Sequence, residues 1–349
     1  MKKVLIVDDS SFVRKILSKI ISQLGYTVDT AKDGEEAVKK ILHNDYDLVT
    51  LDIEMPVKNG IEVLKEIMDV KPTRVVIISS YTTENADITF KALDMGAITY
   101  ITKPGKLGVD LKKIEEDIKE TVKEVSELPL SRLQTRTEIK EPSAKNYPSE
   151  KKYILIGAST GGPKHIEDIL KALPENYPNP ICIVQHMPKD FIPTFVKRLN
   201  SVSKLKVTEA KDGEPVDTGK VIIGKGGYHL NFEKKNGKVV CRLKSDNNNS
   251  LFVPSVDEMF KSALKAIEPE KIVGVLLTGI GSDGAEGLLE LRKAGAITIA
   301  ESEETAIVYG MPREAYNKGA VKKLLPFPQI IKEIIKIGAD RDVQKAQSR

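Results

Sequence analysis

Short apolar runs alternate with amphipathic segments from the first residues onward. Val4-Leu5-Ile6-Val7 reads as a buried strand, and Val13, Ile16, Leu17, Ile20, Ile21 and Leu24 follow at the spacing of one helix face. Leu48-Val49-Thr50-Leu51, Val75-Val76-Ile77-Ile78 and Ala97-Ile98-Thr99-Tyr100-Ile101 read as further strands with helical patterns between them. Such β-α alternation predicts a doubly wound α/β unit: a parallel sheet with helices on both faces. Its last helix carries Leu107, Leu111, Ile114, Ile118, Val122 and Val125 on one stripe, with a solvated Lys/Glu-rich face opposite.

The pattern stops near Ser126. Pro129, Pro142, Pro148, several Ser and Thr and mixed charges leave little to bury, which is the composition of a flexible linker over residues 126–151. A second β-α series starts at Tyr153-Ile154-Leu155-Ile156-Gly157, giving domains at 1–125 and 152–338, with a polar tail at 339–349. Between Lys206 and Leu243 the alternation breaks. Asp212-Gly213, Gly226-Gly227 and Asn236-Gly237 read there as turns of inserted β-hairpins.

Composition mainly excludes. The 349 residues carry 54 Lys+Arg against 50 Asp+Glu, a net charge of +4, without the strong basic block of a nucleic-acid or membrane-surface protein. Cys182 and Cys241 make neither a disulfide framework nor a CxxC metal clamp. Met1-Lys2-Lys3 leads into four apolar residues and then Asp8-Asp9, unlike a secretory signal, and no apolar run approaches the roughly 20 residues a membrane helix needs. The expected protein is cytoplasmic, with no membrane insertion and no nucleic-acid partner.

In an open parallel sheet, ligands gather at the carboxyl ends of strands. Asp8 and Asp9 stand at the end of the first strand, Asp52 at the end of the third, Ser79 and Ser80 at the fourth, and Lys103-Pro104 after the fifth. Three carboxylates at one edge repel unless a cation neutralises them, and oxygen ligands suit Mg²⁺. Lysine can pair with a phosphoryl group and a serine hydroxyl can bond one of its oxygens, so the set suits an aspartate that becomes an acyl phosphate. Singly, each residue also has a plain reading. Asp9 or Ser10 can cap the next helix, Asp52 can make a turn and Lys103 can be solvated. With Met55-Pro56, Gly60 and Tyr100 added, residues 1–120 resemble the receiver domain of two-component response regulators. The resemblance implies a flavodoxin-like fold and Asp52 as phosphoacceptor. It places Mg²⁺ on Asp8, Asp9, Asp52 and the Glu54 backbone carbonyl, and makes Lys103, Ser79 and Tyr100 the phosphoryl-binding and switch residues. Ser79 and Ser80 both stand as candidates for the switch hydroxyl.

In the second domain, Gly157-Ala158-Ser159-Thr160-Gly161 fits the G-x-S-x-G elbow, in which small neighbours let a sharp strand-to-helix turn expose a serine. The same string can be an anion-binding loop at a helix N-terminus. A nucleophilic serine needs a base. His186 ends the apolar strand Ile181–Gln185 at the edge where Ser159 lies; His229 sits in the hairpin region, and His165 on the next helix is expected to face solvent. Asp283, after the strand Ile272–Leu277, can orient the imidazole or simply cap a helix. The order Ser, His, Asp differs from the Ser, Asp, His order of α/β-hydrolases.

Six motifs in one order carry a closer resemblance: Gly157-Ala158-Ser159-Thr160-Gly161-Gly162, Gln185-His186-Met187-Pro188, Gly226-Gly227-Tyr228-His229-Leu230, Pro254-Ser255-Val256-Asp257, Leu277 to Gly284, and Gly310 to Ala315. Residues 152–337 resemble the catalytic domain of chemotaxis protein-glutamate methylesterases, and so does the order of receiver, linker and hydrolase. That likeness implies a Rossmann-like hydrolytic domain with Ser159, His186 and Asp283 as its triad. It puts Thr160, Gly161 and Ile280 near the oxyanion and requires no cofactor for ester hydrolysis. It also implies demethylation of receptor glutamyl esters with release of methanol, deamidation of receptor glutamines, and a chemotaxis histidine kinase as phosphodonor to relieve inhibition by the receiver. Ile280 in place of Met, and Ala300-Glu301-Ser302-Glu303 in place of Ala-Gln-Asp-Glu, depart from the family and are expected at the rim of the site. The rival from another class is a non-catalytic response regulator whose second domain binds an anion or a protein.

Overall fold

The computed structural model describes residues 1–79, 83–103, 111–130, 151–246 and 250–338. The chain divides into two compact units, Met1–Thr135 and Arg136–Arg349.

In the first unit, β1 (Lys3–Val7), β2 (Thr27–Ala31), β3 (Leu48–Asp52), β4 (Val75–Ser79) and β5 (Thr99–Thr102) form one parallel sheet in the order β2-β1-β3-β4-β5. The central strands β3 and β4 are buried at every position, as expected of strands covered on both faces. Leu5, Val7, Val49, Leu51, Val75 and Ile77 pack with Ala37, Val38 and Ile41 of α2 (Gly34–His43) and Val63, Leu64 and Ile67 of α3 (Gly60–Val70). The alternate residues Val4, Ile6, Leu48 and Val76 are equally buried, on the side where α1 (Ser11–Ser22) and α5 (Leu111–Glu127) pack together. Ser10 caps α1, accepting from Val13 N, while Asp9 stays exposed. α4 is Thr83–Asp94.

Two features differ from the sequence reading. Strand β2, Thr-Val-Asp-Thr-Ala, has no apolar run to announce it, because it lies at the sheet edge with only Ala31 fully buried. Helix α5 runs through Ser126 and Glu127, into the stretch expected to be linker. Ser126 is 3% exposed, and its hydroxyl bonds Lys2 Nζ and Tyr26 Oη, each at 3.2 Å. Ser80, Leu107, the tail, and residues 131–150 of the expected linker lie outside the described residues.

The second unit holds a seven-stranded, wholly parallel sheet in the order β14-β13-β12-β6-β7-β9-β8. Its strands are β6 (Tyr153–Ala158), β7 (Ile181–Gln185), β8 (Lys206–Glu209), β9 (Lys220–Ile223), β12 (Ile272–Leu276), β13 (Ile297–Glu301) and β14 (Lys323–Leu325). β10 (Tyr228–Lys235) and β11 (Lys238–Ser245) form a separate antiparallel hairpin. Only one of the three expected hairpin turns therefore is one. Asn236 (φ 50°) and Gly237 (φ 75°) both take the positive φ that a two-residue hairpin turn needs. The segments around Asp212-Gly213 and Gly226-Gly227 instead lead out of β8 and β9, which pair parallel and extend the main sheet. Local turn signals cannot distinguish a hairpin from the end of a crossover.

The hairpin packs Leu230, Phe232, Val239 and Cys241 with Met259, Phe260 and Ala263 of α8 (Val256–Ala266) and Leu288 and Leu291 of α9 (Ala285–Lys293) over one sheet face. On the other face lie α6 (Gly162–Ala172), α7 (Ile192–Val202) and α11 (Phe327–Gly338). α10 is Met311–Asn317. Among the described residues no helix is long and apolar enough to cross a membrane.

Candidate active site

The central strands β7, β6 and β12 bring Ser159, His186 and Asp283 to one edge, since each residue follows the carboxyl end of its strand. Ser159 is 9% exposed. Its N–H donates to Thr278 O (3.0 Å) and its carbonyl accepts from Gly162 N (2.9 Å), which makes the turn into α6 tight. The glycines around it have separate reasons. A Cβ on Gly157 would stand 2.2 Å from Val256 Cγ1, so this glycine lets the start of α8 approach the strand. Gly161 takes φ +80°, and a Cβ there would meet Ile307 at 2.6 Å.

His186 follows β7 directly, and Gln185 ties it to the serine turn. Gln185 Nε2 donates to Ser159 O (2.8 Å) and to His186 O (2.9 Å), and His186 N donates to Ala158 O (3.0 Å). The imidazole Nε2 lies 2.8 Å from Asp283 Oδ2. Nδ1 is buried without a hydrogen-bond partner among the described residues, so the Ser159–His186 bond itself is not made in this structure. The ring is stacked on Phe252, with centroids 4.0 Å apart.

Asp283 collects donors beyond the histidine. Ser255 Oγ (2.8 Å), Val256 N (2.7 Å), Asp257 N (3.0 Å) and Gly284 N (3.0 Å) all donate to its carboxylate. Burial would raise this carboxyl's pKa. The bond and charge of His186, then the backbone N–H groups of Asp257 and Val256, outweigh burial and hold it at about 2. Asp283 is thus ionised and accepts, which puts the proton of a neutral His186 on Nε2 and leaves the Nδ1 lone pair as the basic position. These supporting donors escaped the sequence reading of roles, although Ser255-x-x-Glu258 is a helix-start signal that locates the amides of α8. Nothing in the sequence signals Phe252.

The other histidines are engaged elsewhere. His229, 3% exposed, accepts at Nδ1 from Ser255 N (3.2 Å) and has Nε2 3.6 Å from Asp246 Oδ1. His165 does not face solvent as expected. It is 8% exposed, bonded through Nε2 to Glu301 Oε1 (3.0 Å) and packed on Phe327. Glu301 is likewise not at a rim. It is fully buried, because β13 is an interior strand of the sheet and its carboxylate turns into the protein.

Thr160 and Ile280 are half-buried beside the serine turn. Thr160 O accepts from Thr278 Oγ1 (2.8 Å). Gly279, before Ile280, lies so close that a Cβ on it would stand 2.8 Å from Ser159 Cβ.

In the first unit, Asp8, Asp9 and Asp52 offer carboxylate oxygens within 4.8 Å of one another. Lys103 Nζ is 2.6 Å from Asp52 Oδ2 and 3.5 Å from Asp8 Oδ2. Asp8 Oδ2 is buried and, beyond that ion pair, has no hydrogen-bond partner among the described residues. Burial raises the Asp8 carboxyl and pushes Asp52 up to about 6, against the opposing pull of Lys103. For Lys103, burial works against its charge, but the bond and charge of Asp52 and Asp8 prevail and raise its pKa. Glu54 N donates to Asp52 Oδ1 (3.1 Å). Ser79 Oγ bonds Thr89 Oγ1 (3.0 Å), and Tyr100 lies on β5, half-buried, in register with Ile77.

Fold and site define a class: an acid-pocket α/β unit joined in one chain to an α/β ester hydrolase with a serine turn. Residues 154–334 match the CheB methylesterase family and residues 4–115 the response regulator receiver domain. The chain belongs to the CheB methylesterase family. It is 42% identical to protein-glutamate methylesterase/protein-glutamine glutaminase 2 of Carboxydothermus hydrogenoformans, over 96% of this chain and 98% of that one. It is 40% identical to the protein-glutamate methylesterase/protein-glutamine glutaminase of Thermotoga maritima, over 96% and 98%. The crystal structure of the Thermotoga maritima CheB methylesterase catalytic domain matches with a TM-score of 0.52 at 39% identity, covering 54% of this chain and 99% of that chain.

Proposed function

We propose that this chain hydrolyses glutamyl methyl esters on the cytoplasmic helices of chemotaxis receptors, and deamidates glutamines there, with Ser159 as nucleophile, His186 as base and Asp283 as its orienting carboxylate. The observation that carries the reading is the His186 Nε2–Asp283 Oδ2 bond of 2.8 Å, which leaves Nδ1 unpartnered on the residue that Gln185 ties to the serine turn. Nδ1 takes the Ser159 hydroxyl proton as Oγ attacks the ester carbonyl. The developing oxyanion meets backbone N–H groups of the serine turn, at Thr160 and Gly161 ahead of α6, and near Ile280. The imidazolium returns the proton to the departing methoxide, and methanol leaves. Water, deprotonated by the same nitrogen, then releases glutamate and frees Ser159. In deamidation the leaving group is ammonia. An anion-binding regulator would have no use for the charged Asp283 behind His186.

The receiver unit is the proposed switch, with Asp52 accepting a phosphoryl group from a chemotaxis histidine kinase. Asp8 Oδ2, buried and held only by the 3.5 Å ion pair to Lys103 among the described residues, fits a divalent cation together with the nearby Asp9 and Asp52. Asp8, Asp9, Asp52 and the Glu54 carbonyl would hold Mg²⁺, which when bound neutralises charge on the phosphoryl oxygens. Lys103 pairs with the phosphoryl group, and Ser79 and Tyr100 read its presence. The added charge relieves inhibition of the esterase unit through a linker that begins after α5.

The experiment is methanol release from methylated receptor membranes, with and without a small phosphodonor. Release by the wild type, stimulated by the donor, supports the reading. Ester hydrolysis by Ser159→Ala at the wild-type rate would overturn the nucleophile, and full stimulation of Asp52→Asn would overturn the switch.

A further inference from the structure

The mechanism above assigns no task to the buried carboxylate nearest the serine turn. Glu301, at the end of β13, is fully buried and accepts three hydrogen bonds. His165 Nε2 (3.0 Å) and Thr305 Oγ1 (2.9 Å) donate to Oε1, and Thr278 N (3.0 Å) donates to Oε2. A buried carboxylate is costly unless such donors surround it, and here each donor leads to a different element. His165 belongs to α6, the helix that follows the serine turn. Thr305 Oγ1 also accepts from Phe327 N (2.8 Å), at the start of α11, and Phe327 in turn packs its ring on His165.

Thr278 is the link to the chemistry. It is fully buried. Its carbonyl accepts the Ser159 N–H (3.0 Å), and its hydroxyl donates to Thr160 O (2.8 Å) while accepting from Val308 N (2.8 Å). The backbone on both sides of the nucleophile is therefore fastened to Thr278, and Thr278 is fastened to Glu301. Nδ1 of His165 has no hydrogen-bond partner among the described residues, so the proton of a neutral ring sits on the Nε2 that faces the carboxylate.

We propose that Glu301, held by His165, is a positioning residue for the esterase reaction: through Thr278 it fixes the Ser159-Thr160 turn in the geometry needed for attack. The inference rests on the serine-hydrolase reading above and extends it to residues that touch no substrate.

The test follows covalent labelling of Ser159 by a fluorophosphonate in the full chain, alongside methanol release. Glu301→Leu keeps the volume and removes the acceptors; a displaced reacting group costs up to about a hundred-fold, and a roughly ten- to hundred-fold slower labelling rate is expected. The near-ultraviolet circular dichroism of the variant stays that of the wild type at the assay temperature, which a partly unfolded population would not give. Glu301→Gln keeps an acceptor for the Thr278 N–H and recovers most of the rate. His165→Leu, which leaves the Thr278 bond in place, gives a smaller loss and serves if Glu301→Leu does not fold. Wild-type labelling by folded Glu301→Leu, or by His165→Leu if Glu301→Leu does not fold, overturns the proposal, as does Glu301→Gln no faster than Glu301→Leu. Ester hydrolysis by Ser159→Ala would instead overturn the underlying reading, so the two failures are distinct.

Discussion

The rings of His186 and Phe252 lie face to face, with centroids 4.0 Å apart and planes within 4° of parallel. The stack covers one face of the imidazole and restricts its rotation about the bond to Asp283. Aromatic pairs of this kind contribute about 0.5–1.5 kcal/mol beyond area burial. Phe252→Ala is therefore expected to lower kcat/KM roughly three- to ten-fold and the thermal midpoint by only a few degrees, which parallel kinetics and calorimetry would reveal.

Because Asp283 claims Nε2, the neutral ring of His186 is expected as the Nε2–H tautomer. Long-range ¹⁵N–¹H spectra of the protein labelled at histidine check this directly. Nδ1 should resonate as an unprotonated, pyridine-type nitrogen, and in Asp283→Asn the two tautomers should mix. An Nδ1–H signal in the wild type would reverse the assignment of the base.

Asp283 also ties stability to pH. Its pKa is depressed in the folded protein, from an ordinary 3.8 to about 2. The stabilisation is thus fully present above the unfolded value and is lost as pH falls through the folded one. The contribution is on the order of 2 kcal/mol at neutral pH. In acid-unfolding series, Asp283→Asn should be less stable than the wild type at pH 6 and indistinguishable from it near pH 2.

Asp52 has the opposite sign. Burial raises its pKa to about 6, so the folded receiver binds its proton more tightly than the unfolded chain and stability declines as pH rises through that range. In metal-free buffer, Asp52→Asn should stabilise the receiver at pH 7.5 by on the order of 2 kcal/mol, and the advantage should vanish near pH 4. Added Mg²⁺ should raise the wild-type midpoint and close the gap, because ligand binding to the folded state stabilises it.

What could be read from the chain follows from the range of the interactions. The placement of Ser159, His186 and Asp283 at one sheet edge, and of Asp52 at another, was legible because each follows an apolar strand, and parallel sheets collect strand ends at one edge. The same logic failed where a residue's environment depends on strand order. β8 and β9 look local, yet they join the sheet beside β7. His165 looks like a surface residue of α6, yet Glu301, far along the chain, draws it inward. A buried hydrogen-bond partner of this kind leaves no periodic mark, since either residue alone fits an exposed position.

The neighbours of β6 in the sheet are β7 on one side and β12 on the other. During synthesis β7 emerges soon after β6, while the opposite edge of β6 stays open until a strand made much later slides in. That late strand brings Thr278, whose carbonyl receives the Ser159 amide, and then Asp283. A nascent chain that ends before Ile272 thus displays its serine and histidine with neither brace nor charge behind them. On the proposed mechanism such a chain lacks the carboxylate that holds His186, so ester hydrolysis is expected only from chains that extend past Asp283.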